Sequence, residues 1–158
     1  MRTLSLILSV CLLLAVPVGT AAAADVDLLL NDTSAGKTIF HQHLAAGSRF
    51  TLIYRHSVEK SLVDEIYEVA ADGSIYLVET TVRASGYGLP ECAPGENCIS
   101  HDDAVTFPGL HLKIDDLIMR VSYLNDMWLK FEETAVNLPK IAPGGHRIQV
   151  KARPVDAF

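Results

Sequence analysis

Cysteine and basic charge are both scarce in this chain, with three Cys among 158 residues and 13 Lys and Arg against 19 Asp and Glu. The resulting net charge of −6 argues against nucleic acid or an anionic lipid surface as a partner, since both are bound through clustered cations. A basic partner surface or a cationic ligand suits the charge better. There is no Gly-x-Ser-x-Gly segment, which excludes the nucleophile elbow of an α/β-hydrolase. No Pro/Ser/Gly-rich linker, internal repeat or low-complexity tract divides the sequence. Beyond the N-terminal leader, no apolar run approaches the roughly 20 residues that a spanning helix requires.

The leader itself has the three parts of an export signal. Arg2 supplies the positive start, Leu4 to Val18 the apolar stretch, and Ala21 to Ala24 the small residues of a cleavage site. Residues 1–24 are therefore expected to be a signal peptide, and 25–158 a single periplasmic domain with no stable membrane insertion after cleavage. Loss of Arg2 moves the net charge from −6 to −7. Cys92 and Cys98 are then the only cysteines left, in an oxidising compartment, and a disulfide between them is expected. Closing so short a loop contributes ~2 to 3 kcal/mol on a chain-entropy basis. The competing reading, thiolate ligands joined by His101, has a Cys-x5-Cys-x2-His spacing that is not standard for zinc.

Strand patterns recur along the whole chain. Val26, Leu28 and Leu30 alternate in a first strand, and Thr38 to Leu44 is a second candidate. Asp72-Gly73 signals a tight turn into Ser74 to Val82, where apolar residues on both faces suit a central strand. Ala84 to Pro108 reads as a long connecting loop, followed by a half-buried strand through Leu110, Leu112 and Ile114. Leu117 to Leu124 fits either a strand or a short helix. The Asn125-Asp126 turn before apolar Met127 to Phe131 favours a hairpin there, with Trp128, Tyr123 and Phe131 expected in the core. Ile148, Val150 and Ala152 alternate in a closing strand. These elements predict an all-β fold, an antiparallel two-sheet sandwich or flattened barrel.

Arg49 to Ala70 carries the most chemistry. Phe50, Leu52, Tyr54 and His56 share one strand face, and Val63, Glu65, Tyr67 and Val69 share the next, because side chains alternate along a strand. A hairpin with its loop at Glu59 to Leu62 would set Leu52 opposite Val69, Tyr54 opposite Tyr67, and His56 opposite Glu65. An imidazole against a carboxylate is a structural or ligand-facing pair, or the base of a catalytic group whose ordinary pKa is ~6.5. Ser57 points away from its neighbour, so a nucleophile would have to come from Ser61, Ser85 or Tyr87. His41 and His43, two apart on a strand, are candidate ligands for a divalent metal, with His56 or Glu65 as a third. His101, Asp102 and Asp103 offer further donors, although turn capping explains the aspartates more simply.

Three segments carry a family resemblance: Phe50-Thr51-Leu52-Ile53-Tyr54-Arg55-His56-Ser57-Val58, then Glu65, then Ser85-Gly86-Tyr87-Gly88-Leu89-Pro90. In these the chain resembles the bacterial domain-of-unknown-function family 1850, and Asn137-Leu138 to Arg147-Ile148 looks like that family's closing strand. The Cys92 to Cys98 loop looks like a departure from the pattern. The resemblance implies a small exported or membrane-anchored protein whose gene accompanies TRAP transporter permeases of the TAXI type, hence an accessory role in periplasmic solute uptake. It implies no activity. The resulting expectation is a binding protein for a transporter component or a small solute, with Tyr54, His56, Ser57, Glu65, Gly86, Gly88 and Pro90 lining one site. No cofactor is expected apart from the metal at His41 and His43. The alternative is a metal-dependent or His/Glu-based hydrolase.

Overall fold

The computed structural model describes residues 24–56, 61–83, 92 and 95–155. The leader up to residue 23 lies outside them, as do Ser57, Ser85, Gly86, Tyr87, Gly88 and Pro90. Among the described residues eleven strands follow one another with one short helix: β1 (Asp25–Asp32), β2 (Lys37–Ala45), β3 (Arg49–Arg55), β4 (Leu62–Val69), β5 (Ile75–Arg83), β6 (Ile99–Ser100), β7 (Ala104–Ile114), β8 (Leu117–Arg120), β9 (Trp128–Lys130), β10 (Ala135–Asn137), α1 (Leu138–Ile141) and β11 (Arg147–Pro154). They form two antiparallel sheets, one of four strands in the order β2-β1-β11-β8 and one of seven in the order β10-β9-β3-β4-β5-β7-β6. Neither closes on itself, so the fold is a sandwich and not a barrel.

Alternation places the core. In β1 the residues Val26, Leu28, Leu30 and Asp32 are buried, while Asp27, Leu29 and Asn31 face the other way. Those three apolar side chains, with Leu117, Met119, Ile148 and Val150 of the same sheet, pack onto Phe50, Leu52, Tyr67, Val69, Ile75 and Leu129 of the other. Phe50 is fully buried and stacks on Tyr67, with ring centroids 5.2 Å apart. Such a ring contributes roughly 1.5 to 3 kcal/mol by leaving water.

Three expectations need correction. The β3–β4 hairpin pairs Phe50 with Tyr67, Leu52 with Glu65 and Tyr54 with Val63, and His56 N–H donates to the Ser61 carbonyl. Glu65 therefore does not face His56. The slip preserves every residue's face, because period-two alternation is blind to an even shift. Second, the segment after Leu117 is no hairpin: β8 pairs with β11, whereas β9 pairs with β3 in the other sheet, so residues 121–127 cross between sheets. Tyr123 on that crossing is 79% exposed and lies outside the core, while Trp128 and Phe131 are half-buried. Third, the 84–108 loop is shorter than its composition suggests, because β7 reaches back to Ala104 and pairs with β5.

The later part of β7 also departs from simple alternation. Gly109 (φ 67°) and His111 (φ 48°) sit in the left-handed region, opposite a register shift between Leu77 and Glu79 of β5. Leu112 is consequently 55% exposed in place of the half-buried position its spacing predicts.

Candidate functional site: a carboxylate in an open cleft between the sheets

Glu65 points inward from β4, the face it shares with Tyr67. Tyr54 Oη donates to its Oε1 at 3.1 Å and Tyr67 Oη to its Oε2 at 2.8 Å. Burial, reinforced by the Glu65 charge and hydrogen bond, pushes both phenols well above their ordinary pKa, so they stay protonated donors. Among the described residues Glu65 takes part in no ion pair.

The carboxylate lies on a cleft of about 340 Å³ whose walls are Leu52, Leu117, Met119 and Met127, with Arg120 also lining it. A second cleft of about 530 Å³ shares Tyr54, Arg120 and Met127 with the first and extends to Arg55, His56, Tyr123 and Leu124. The site thus has an apolar interior, one acidic group inside and arginines along its borders. Arg120 is oriented by a 2.8 Å bond from Nη1 to the Gly145 carbonyl.

The crossing segment that edges this cleft is held by several bonds. Val121 N–H donates to the His146 carbonyl and Gly145 N–H to the Val121 carbonyl, at 2.9 and 2.8 Å. Ser122 Oγ accepts from the Leu124 and Asn125 amides. Tyr123 lies so close over Gly144 and Gly145 that a Cβ on either would fall within 2.5 Å of its ring or hydroxyl. Behind it, His146 Nδ1 donates at 2.8 Å to Oδ2 of Asp32, which is 1% exposed. Asp32 Oδ1 also accepts from the Ser34 and Ala35 amides, both at 3.0 Å. The His146 bond, helped by those amides, holds the Asp32 carboxyl below its usual range despite desolvation.

Tyr54 is therefore in contact with Glu65, and His56 joins Tyr54 on the neighbouring larger cleft. His41 and His43 are elsewhere, on β2 and mostly exposed. His41 Nε2 lies 2.8 Å from Asp27 Oδ1, and His43 lies between Asp27 Oδ1 at 3.3 Å and Asp25 Oδ2 at 3.4 Å. No group of three or more metal-ligating side chains is assembled among the described residues. A disulfide joins Cys92 to Cys98, with their Cα atoms 5.9 Å apart. No described helix is long and apolar enough to cross a membrane. Tyr67, Arg120 and the Asp32–His146 pair were not singled out by sequence. Tyr67 at i+2 from Glu65 was the one legible signal, since such neighbours share a strand face.

The model of the domain of unknown function DUF1850 matches residues 50–138. The chain belongs to this family. The DUF1850 region runs from β3 into α1 and so contains Tyr54, Glu65, Tyr67, Met119, Arg120 and Met127. It leaves out β1, β2 and β11, and with them His41, His43, Asp32 and His146. No curated protein and no solved structure matches the chain.

Proposed function

We propose that this protein is an exported binding module that takes a small solute into the cleft at Glu65, as an accessory to TRAP-type uptake. The observation that carries this reading is the half-buried Glu65 carboxylate, held by two tyrosine hydroxyls on the floor of an apolar cleft. Concave, largely apolar sites with a few fixed polar groups are the usual form of a small-molecule site. The DUF1850 segment contains the whole floor of that cleft, which supports placing the shared role there. The TRAP context rests on the family resemblance, and export on the leader pattern. A His/Glu hydrolase has less support, because the register seats tyrosines and not His56 against Glu65.

The test is a thermal-shift screen of residues 25–158 against organic solutes, repeated on Met127→Trp, which fills the cleft shared by both cavities. A saturable rise in Tm with one solute class, abolished in Met127→Trp, is the expected result. Shifts that survive the filled cleft would move the site elsewhere. Co-purification of the full chain with a TRAP permease is the separate test of the transport link.

A further inference from the structure

Hydrogen bonding and charge are satisfied unequally at Glu65. Each phenol fills one lone pair on a different oxygen, yet both are neutral, and among the described residues no cation forms an ion pair with the carboxylate. A carboxylate in a partly desolvated, apolar setting attracts an opposite charge far more strongly than one in water. The phenols donate and cannot be displaced by another donor without loss, so an incoming group must approach the remaining lone pairs from the cleft. Arg120 lies at the mouth of the same cleft, on the exposed side of the edge strand β8, with one Nη on the Gly145 carbonyl and four further N–H donors in a fixed planar fork. A purely cationic ligand would meet repulsion there, and a purely anionic one would meet repulsion at Glu65.

Resting on the cleft reading above, we infer that the ligand is a zwitterion that sets an ammonium on Glu65 and a carboxylate on Arg120, with its carbon chain against Met119 and Met127. The methionines suit this role because their unbranched thioethers adapt to chains of different shape. An inside acid and a border base also impose one orientation, amine first.

Isothermal titration calorimetry with glycine, γ-aminobutyrate and ε-aminocaproate, each beside the matched alkylamine and alkylcarboxylate, tests the inference. At least one zwitterion should bind more tightly than both of its single-charge analogues. Glu65→Gln keeps an acceptor for the tyrosines and should weaken that zwitterion roughly ten- to a hundred-fold, the scale of a charge-assisted hydrogen bond. Arg120→Gln, an exposed change that leaves the core intact, should weaken the zwitterion and leave the alkylamine equally or more tightly bound. Equal or tighter binding of an alkylcarboxylate, or zwitterion affinity unchanged by Glu65→Gln, overturns the inference. A neutral solute that saturates the cleft and is blocked by Met127→Trp would overturn it while the cleft reading stands. Failure of every probe and every screened solute to bind the folded protein would overturn both.

Discussion

Asp32 and Glu65 are both carboxylates turned into the same sandwich, and their surroundings have opposite consequences. Asp32 is closed: two backbone amides and His146 converge on it, it is sealed from solvent, and a potential cation is already in place. Glu65 is open: two neutral hydroxyls satisfy its geometry, and a cleft runs from it to the surface. The first arrangement fastens the start of β11 to the end of β1 and leaves nothing for a ligand. The second leaves charge and space unfilled. Partner count alone does not separate a closed carboxylate from an open one; the partners' charge and the adjoining free volume do.

The largest effect should come from emptying the core beneath the open site. Phe50→Ala deletes the fully buried ring beneath Tyr67 and should cost about 3 to 5 kcal/mol in chemical denaturation, the range for emptying a core aromatic site. A loss under 1 kcal/mol would mean that the interior relaxes around the gap.

Next comes the direct contrast between the carboxylates. Asp32→Asn should lower Tm clearly more than Glu65→Gln, because the amides and imidazole around Asp32 are fixed donors, whereas a tyrosine hydroxyl beside Glu65 can rotate to accept from a new N–H₂. The same pair separates in acid. The folded pKa of Asp32 lies below its ordinary 3.8, so its contribution is complete above that value and is lost as the pH falls through the folded one. Asp32→Asn should flatten the acid limb of the Tm-against-pH curve. An unchanged limb would assign acid unfolding to other carboxylates.

A smaller effect is expected at the link between the two regions. Gly145 has φ 84° and Tyr123 against it, so Gly145→Ala should cost roughly 1 to 2 kcal/mol for the left-handed backbone alone. It should also displace Tyr123 from the cleft border, visible as weaker ligand binding beyond the loss of stability.

The smallest effect belongs to the outer face. The Asp27 bond, followed by Asp25, raises the His43 pKa above its ordinary 6.5, so its contribution is complete below 6.5 and is lost as the pH rises through the raised value. His43→Gln should lower Tm slightly in mildly acid buffer and not at all in alkaline buffer. Equal loss at both would remove the charge from the explanation.

Much of the fold and part of the site are legible in the sequence. Alternation in β1, β3, β4 and β11 assigned those strands and their inward faces, including the shared face of Tyr54, Glu65 and Tyr67. What alternation cannot see is a slip by an even number of residues, so a register that sets His56 against Glu65 fits the pattern as well as the one observed. Turn composition at Asn125-Asp126 signals a reversal of the chain, but not whether the reversal stays within one sheet. The Asp32–His146 pair joins residues 114 apart with no local pattern between them, so only the β1–β11 pairing brings it into being. Arg120 was equally silent, since its role depends on β8 lying at the sheet edge beside the cleft.

The interrupted end of β7 bears on how the molecule behaves in concentrated solution. Among the described residues β6 pairs only with Val105 and Thr106 of this long edge, and beyond them the Asn97 side chain donates to the Pro108 carbonyl. A straight strand in that position would template the addition of another chain and so aggregation. Pro108 lacks an N–H to offer, and the left-handed turns at Gly109 and His111 bend the remaining donors and acceptors out of line. The irregularity that leaves Leu112 exposed therefore also denies neighbouring molecules a flat edge on which to polymerise.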